Sequence, residues 1–141
     1  MDILTPEQRH INMSHIRGTD TYPEVIVRKY LFGRGLRYLK NYRKLPGRPD
    51  IVFPKYKTAI FINGCFWHGH EGCRYSCLPK SNTSFWRIKI EQNMKRDQEV
   101  VEKLQANGWK IITVWECEIK KSATREQRLQ DIYEEITKQS Q

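Results

Sequence analysis

The sequence predicts a single α/β domain with a mixed central sheet between helices, and three observations lead there. The chain has 141 residues, the size of one ordinary domain. Two nearly continuous apolar runs, Thr58–Ile62 and Trp109–Trp115, read as buried strands. The segments around them carry the 3.6-residue apolar spacing of helices. Apolar residues at 38% and aromatics at 11% supply one core and argue against wholesale disorder.

Each element follows from local signals. Thr5-Pro6-Glu7-Gln8 reads as a helix start, with Thr5 capping and Pro6 in the first position. That helix runs to about Ile16, is polar, and is expected to order on a partner. A second start lies at Thr21–Glu24, and Val25, Ile26, Tyr30 and Leu31 form its stripe until Gly33 and Gly35 end it. Leu36–Arg43 alternates like a strand, Pro46-Gly47-Arg48-Pro49 turns, and Asp50–Phe53 is a short buried strand. After Thr58–Ile62 comes an irregular insert, Asn63–Asn82, rich in Gly, Cys and His. Thr83 or Ser84 is expected to cap the longest helix, which ends near Asn107-Gly108. Trp86, Ile90, Met94, Val101 and Leu104 share one face of it, and Asp97 falls on that same apolar stripe. The strand Trp109–Trp115 follows, and a last helix, about Thr124–Lys138, presents Leu129, Ile132, Tyr133 and Ile136.

The charge is large and uneven. Lys and Arg number 25 against 16 acids, for a net charge of +9, and residues 118–141 contribute none of the excess. Between Arg28 and Arg48 lie eight basic residues and no acid, interleaved with Tyr30, Phe32, Tyr38 and Tyr42. The bland reading is a solvated basic face. The better one is a surface that neutralises phosphates, with nucleic acid as partner. No apolar run approaches the roughly 18 residues of a membrane span. The opening MDILTPEQRH has no basic-then-apolar signal, so a cytoplasmic protein is expected, and its four cysteines read as ligands or thiols rather than disulfides.

The insert holds Cys65, His68, His70, Cys73 and Cys77 in a glycine-rich loop. Structural zinc takes four N or S donors in a tetrahedron. Cys65, His70 and Cys73 would supply three, with a fourth from His68, Cys77 or the distant Cys117. Reduced thiols with solvent-facing histidines are the alternative. Phe66 and Trp67 stand between these ligands, either as a small satellite core or as a wedge for stacked bases, with Trp86 nearby.

Asp50 begins a short strand after a tight turn, where a carboxylate at a sheet edge suits Mg²⁺ with waters and substrate phosphate. This arrangement resembles the restriction-endonuclease fold. The next strand, however, ends Phe61-Ile62-Asn63, without the acid and lysine that such sites usually carry. Glu24, Asp97 and His68 are the groups able to fill that gap, and a histidine can deprotonate the attacking water. Asp50 as a turn cap and Glu24 as a first-turn dipole residue are the structural alternatives.

The text Leu45–Asp50 (LPGRPD), Phe61–His68 (FINGCFWH), Ser81–Trp86 (SNTSFW), Asn93–Asp97 (NMKRD) and Trp115-Glu116-Cys117 resembles the very short patch repair (Vsr) DNA mismatch endonucleases. Asn12-Met13 and Thr19–Glu24 fit as well, and the resemblance covers roughly residues 9 to 120. It implies a restriction-endonuclease-like fold with a zinc-binding loop insert. It implies nicking of double-stranded DNA 5′ to the T of a T:G mismatch left by deamination of 5-methylcytosine. Asp50 and the Ile62 carbonyl would hold Mg²⁺, Glu24 would support its water shell, and His68 would be the catalytic histidine. Cys65, His70, Cys73 and Cys117 would bind structural zinc, with Cys77 a bystander. Phe66, Trp67 and Trp86 would enter the duplex, and the helix in residues 1–18 would clamp it, with Asn12, Met13, Arg17 and Arg48 on the DNA.

Two positions depart from the family pattern. Asn63 stands where the enterobacterial relative has a second active-site histidine; it can donate to phosphate but cannot titrate. Asp97 would usually orient that histidine, and is expected here to bond Asn63 or to remain a buried structural carboxylate. Residues 1–141 are expected to form one monomeric domain. Mismatch-repair proteins and a DNA cytosine methyltransferase are expected partners, and no membrane is. A restriction-type enzyme cutting both strands, and a zinc-stabilised DNA binder without catalysis, are the competing readings.

Overall fold

The apolar run after Lys57 becomes an inner strand of a four-stranded sheet, and the rest of the chain is arranged around it. A computed structural model describes residues 21–138. The elements are α1 (Tyr22–Gly33), β1 (Leu39–Lys40), β2 (Ile51–Phe53), β3 (Thr58–Asn63), α2 (Thr83–Ala106), β4 (Lys110–Trp115), α3 (Glu116–Lys120) and α4 (Ser122–Thr137). The sheet order is β1-β2-β3-β4. β1–β2 and β2–β3 pair antiparallel, whereas β3 and β4 run parallel. Parallel neighbours need a long crossover; the insert and α2 provide it. The mixed sheet flanked by helices is the architecture expected of a restriction-endonuclease-like fold. The expected helix in residues 1–18, with Asn12, Met13 and Arg17, lies outside the described residues.

Strand alternation divides the sheet into two faces. Ile51, Phe53, Ile60, Ile112 and Val114 point to one side and meet Val27 and Leu31 of α1 and Leu129, Ile132 and Ile136 of α4. Ile51 lies opposite Ile60 and Ile60 beside Ile112, so these side chains form one row across three strands. β3 is buried over Thr58–Ile60 and half-buried from Phe61 onward. Its C-terminal half therefore opens toward a cleft.

Several elements differ from their sequence reading. The expected strand over Leu36–Arg43 pairs only at Leu39–Lys40, because Asn41 takes a left-handed conformation with φ of 52° and ends the regular pairing. In α1 the buried residues are Pro23, Glu24, Val27, Arg28 and Leu31, so the buried stripe includes an acid and a base. Asn82, in the left-handed region, precedes α2 without a side-chain cap. Thr83 does not cap it either; its hydroxyl donates backward to the Pro79 carbonyl at 2.8 Å. Only Ile90 and Leu104 of α2 are buried, and Met94 is 41% exposed, since much of the stripe faces loops and cleft rather than core. The short helix α3 was not foreseen. Glu118 accepts the Trp115 N–H at 2.7 Å and caps its start, so Cys117 sits in a helical turn rather than in a simple strand extension.

The Ile60 side chain is fully buried in the middle of that row. Ile60→Ala is predicted to lower unfolding free energy by roughly 2–5 kcal/mol, read by urea denaturation. A loss below about 1 kcal/mol would contradict this placement of the core.

Candidate active site and metal centre

The antiparallel register of β2 and β3 sets the position of Asp50. Its backbone N–H donates to the Ile60 carbonyl at 3.0 Å, and its Oδ2 accepts the Ile62 N–H at 2.6 Å. The carboxylate thus replaces the next backbone partner in the ladder. Burial, countered by the Ile62 bond and reinforced by nearby Glu24, pushes its pKa up to about 7. Glu24 is 2% exposed in the first turn of α1 and forms an ion pair with Arg28 at 3.6 Å. A buried carboxylate that holds its proton so strongly is a group that a cation would relieve. Asp50, with the β3 end and water, fits a hard ion such as Mg²⁺.

The loop after β3 folds back on itself. His68 N–H donates to Gly64 O, Gly69 to Phe66 O and His70 to Cys65 O, at 3.1, 3.3 and 2.9 Å. This places the His68 Nδ1 2.6 Å from Asp97 Oδ2 of α2. Asp97 therefore pairs with His68, not with Asn63, and its side chain is 38% exposed rather than a buried structural group. A carboxylate can only accept, so Nδ1 is the donor of this pair, which in the neutral ring leaves the lone pair on Nε2. The position of Asp97 on the apolar stripe is explained: that face of α2 borders the cleft.

One cleft of about 1490 Å³ is lined by Glu24, Arg48, Asp50, Asn63, His68 and Asp97 together with Phe66 and Trp67. Phe66, Trp67 and Trp86 form one edge-to-face cluster, with centroids 5.2 Å (Phe66–Trp67), 5.4 Å (Phe66–Trp86) and 5.8 Å (Trp67–Trp86) apart. Phe85, 60% exposed, adds an edge contact to Trp86 at 5.2 Å. Its place beside Trp86 in the SNTSFW run was the only sequence signal for it.

Cys65, His70, Cys73 and Cys117 converge so that their ligand atoms all lie within 4.8 Å of one another. Donors about 2.0–2.3 Å from one tetrahedral ion stand roughly 3.3–3.8 Å apart, so three thiols and one imidazole fit zinc after slight closure. Burial pushes the Cys65 thiol up to about 12 and raises Cys117. Cys73 is lowered although burial opposes it, by the Tyr75 N–H, the other thiols and Lys121. His70 stacks flat on Trp115 with centroids 4.1 Å apart, which ties the loop to β4. His68 and the exposed Cys77 stand outside the group.

Three contacts with α2 escaped the sequence reading. Asn93 Nδ2 donates to the Trp67 carbonyl at 2.9 Å. A Cβ on Gly69, where φ is +62°, would lie 2.6 Å from Met94 Sδ. A Cβ on Gly47, where φ is +76°, would lie 2.5 Å from Val100 Cγ1. Both loops of the site therefore rest on α2 through glycine. Spacing along a helix identifies a face but not what will lie against it.

A mixed sheet with a buried carboxylate at a strand start, beside a histidine–aspartate pair in the same cleft, fits a nuclease of the restriction-endonuclease-like class. The chain belongs to the DNA mismatch endonuclease Vsr family, whose model matches residues 1–74. It is 48% identical over 135 residues to the type II nicking enzyme V.NmeAIP of Neisseria meningitidis, covering 96% of each chain. It is 45% identical over 131 residues to the type II nicking enzyme V.XorIIP of Xanthomonas oryzae, covering 93% of this chain and 96% of that one. To the DNA mismatch endonuclease Vsr of Escherichia coli it is 39% identical over 119 residues, 84% of this chain and 76% of that one. It is accordingly a DNA endonuclease of the nicking type. Among the described residues no helix is long and apolar enough to cross a membrane.

The raised Asp50 pKa has a stability consequence. A carboxyl whose folded pKa exceeds its unfolded one favours the native state fully below about 3.8, and loses that contribution as pH rises through about 7. In metal-free buffer, the unfolding free energy of wild type relative to Asp50→Asn is predicted to fall between about pH 4 and pH 7, then level off. Denaturant titrations across that range check it, and a flat difference would contradict it.

Proposed function

We propose that the chain nicks duplex DNA 5′ to the T of a T:G mismatch arising from deamination of 5-methylcytosine. The observation that carries this reading is the side-by-side placement, at one cleft, of Phe66 and Trp67, which pack on Trp86, and the His68–Asp97 pair. A wobble pair is weakly stacked, so aromatic side chains unstack it at lower cost than a Watson–Crick pair. Mismatch selectivity then arises from deformation, with the chemistry next to the opened step.

In this reading Asp50 and the Ile62 carbonyl would hold Mg²⁺, and Glu24 would support the water around it. The bound ion would neutralise charge developing on the phosphate. His68 takes the proton of the attacking water at Nε2, while Asp97 fixes the tautomer and balances the imidazolium. Asn63 donates a hydrogen bond to phosphate, and Arg48 lies along the backbone. Cys65, His70, Cys73 and Cys117 would hold zinc, which would tie the loop to β4 and α3. Residues 1–18 clamp the duplex, with Asn12, Met13 and Arg17 in contact.

Residues 1–141 act as one monomeric domain, since a nick in one strand needs one site. The work is done in the cytoplasm, beside a DNA cytosine methyltransferase that creates the lesion's precursor and mismatch-repair proteins that share the substrate.

An end-labelled duplex carrying one T:G pair, with the flanking bases varied, tests the reading against its T:A counterpart. A Mg²⁺-dependent single cut beside T, in the mismatched duplex alone, is expected. Cutting of both strands would favour a restriction enzyme, and binding without any cut would favour an inactive binder. His68→Ala is predicted to fold normally and nick roughly 10²–10⁴-fold more slowly. Cys117→Ala is predicted to lose zinc by elemental analysis and melt at lower temperature. Equal unfolding of both variants by circular dichroism would overturn the separation of catalytic and zinc roles.

A further inference from the structure

We propose that Asn93 is a positioning residue that couples the aromatic wedge to the catalytic histidine, so that nicking is licensed by insertion of Trp67 rather than by DNA binding alone. The inference rests on the mismatch-nicking reading above.

Trp67 and His68 are chain neighbours held by different groups of α2. Asn93 Nδ2 donates to the Trp67 carbonyl at 2.9 Å, and Asp97 accepts from His68 Nδ1 at 2.6 Å. Asn93 and Asp97 are four residues apart, so they lie one turn apart on the same helix face. Nearly two turns before Asn93, the Trp86 ring meets the Trp67 ring with centroids 5.8 Å apart. The helix therefore grips Trp67 twice, at its ring and at its carbonyl.

The Trp67 carbonyl and the His68 N–H belong to one planar peptide group. Asn93 holds the oxygen end of that plane, and the Gly64 carbonyl accepts its N–H at 3.1 Å. A plane pinned at both ends cannot turn about its Cα–Cα axis without breaking one of these two bonds, so a shift of the Trp67 backbone is passed on as a shift of His68 Cα, and with it the ring that Asp97 orients. Displacement of the Trp67 backbone on DNA is thereby transmitted to the base within one residue. Without the Asn93 bond the oxygen end is released, and the wedge can enter DNA while His68 loses its register with Asp97.

The test uses the full chain, with Mg²⁺, on a T:G duplex carrying 2-aminopurine beside the mispaired T. Fluorescence reports unstacking, anisotropy reports affinity, and single-turnover nicking at saturating enzyme reports the chemical step. Asn93→Ala is expected to bind and unstack within about twofold of wild type while nicking at least tenfold more slowly. Asn93→Gln, which keeps the donor, is expected to recover part of that loss. The proposal is overturned if Asn93→Ala nicks at the wild-type rate, or if binding, unstacking and nicking fall together. Should Asn93→Ala fail to fold, the isosteric Asn93→Asp, which removes the donor without opening a void, must show the same split. Wild-type rates in Asn93→Asp would overturn the proposal equally. If wild type itself neither unstacks nor nicks the mismatched duplex, the mismatch reading fails first, an outcome distinct from a wild type that works and a variant that is not uncoupled.

Discussion

The hydrogen bond from the Ile62 N–H to the Asp50 carboxylate, 2.6 Å long, is the contact on which the site is organised. A carboxylate this buried is costly to ionise, and only the backbone donor and, more weakly, His68 oppose that cost. The bond exists because β2 enters the sheet one residue after Asp50, in a register where Ile51 faces Ile60. A slip of one residue would turn Asp50 toward the other face and Ile51 out of the core. The apolar row through Ile51, Ile60 and Ile112 thus fixes the position of the Asp50 carboxylate from within the core.

The second constraint is α2. It contributes little to the main core, yet each loop of the cleft leans on it: Gly47 at Val100, Gly69 at Ile90 and Met94, Trp67 at Asn93 and His68 at Asp97. The Cys/His cluster anchors the far side of the insert, where His70 stacks on Trp115 and Cys117 joins from α3. A twenty-residue irregular insert would be a poor support for catalysis by itself. Instead it is held between the Cys65–His70–Cys73–Cys117 cluster and a 24-residue helix, and packs against both.

Much of this was legible in the sequence where one residue type carries one strong preference. The apolar run in β3, the ligand density in the insert and the Thr21-to-Glu24 helix start all fall where periodicity and side-chain chemistry place them. What could not be read depends on which surfaces meet. Asp97 stood out on its stripe, but only the packed loop shows that its partner is His68. The strand expected over Leu36–Arg43 has adequate alternation and still breaks at Asn41, whose left-handed conformation takes the chain out of the pleat although the Asn41 and Tyr42 N–H groups still reach the Asp50 and Pro49 carbonyls. The start of α3 depends on Glu118 reaching back to Trp115, a cap too local to distinguish from a turn in advance. Asn93 looked like one more polar helix residue until the Trp67 carbonyl was found against it.

The central claim is that Asp50 is kept buried for a cation at the expense of metal-free stability. Thermal melts of wild type and Asp50→Asn at pH 8, in chelator and in Mg²⁺, test it directly. Asn can still accept the Ile62 N–H but carries no charge. The account predicts that Asp50→Asn melts at or above wild type in chelator, and that Mg²⁺ raises the melting temperature of wild type alone. A variant that melts well below wild type in chelator, with Mg²⁺ shifting both proteins equally, would contradict it.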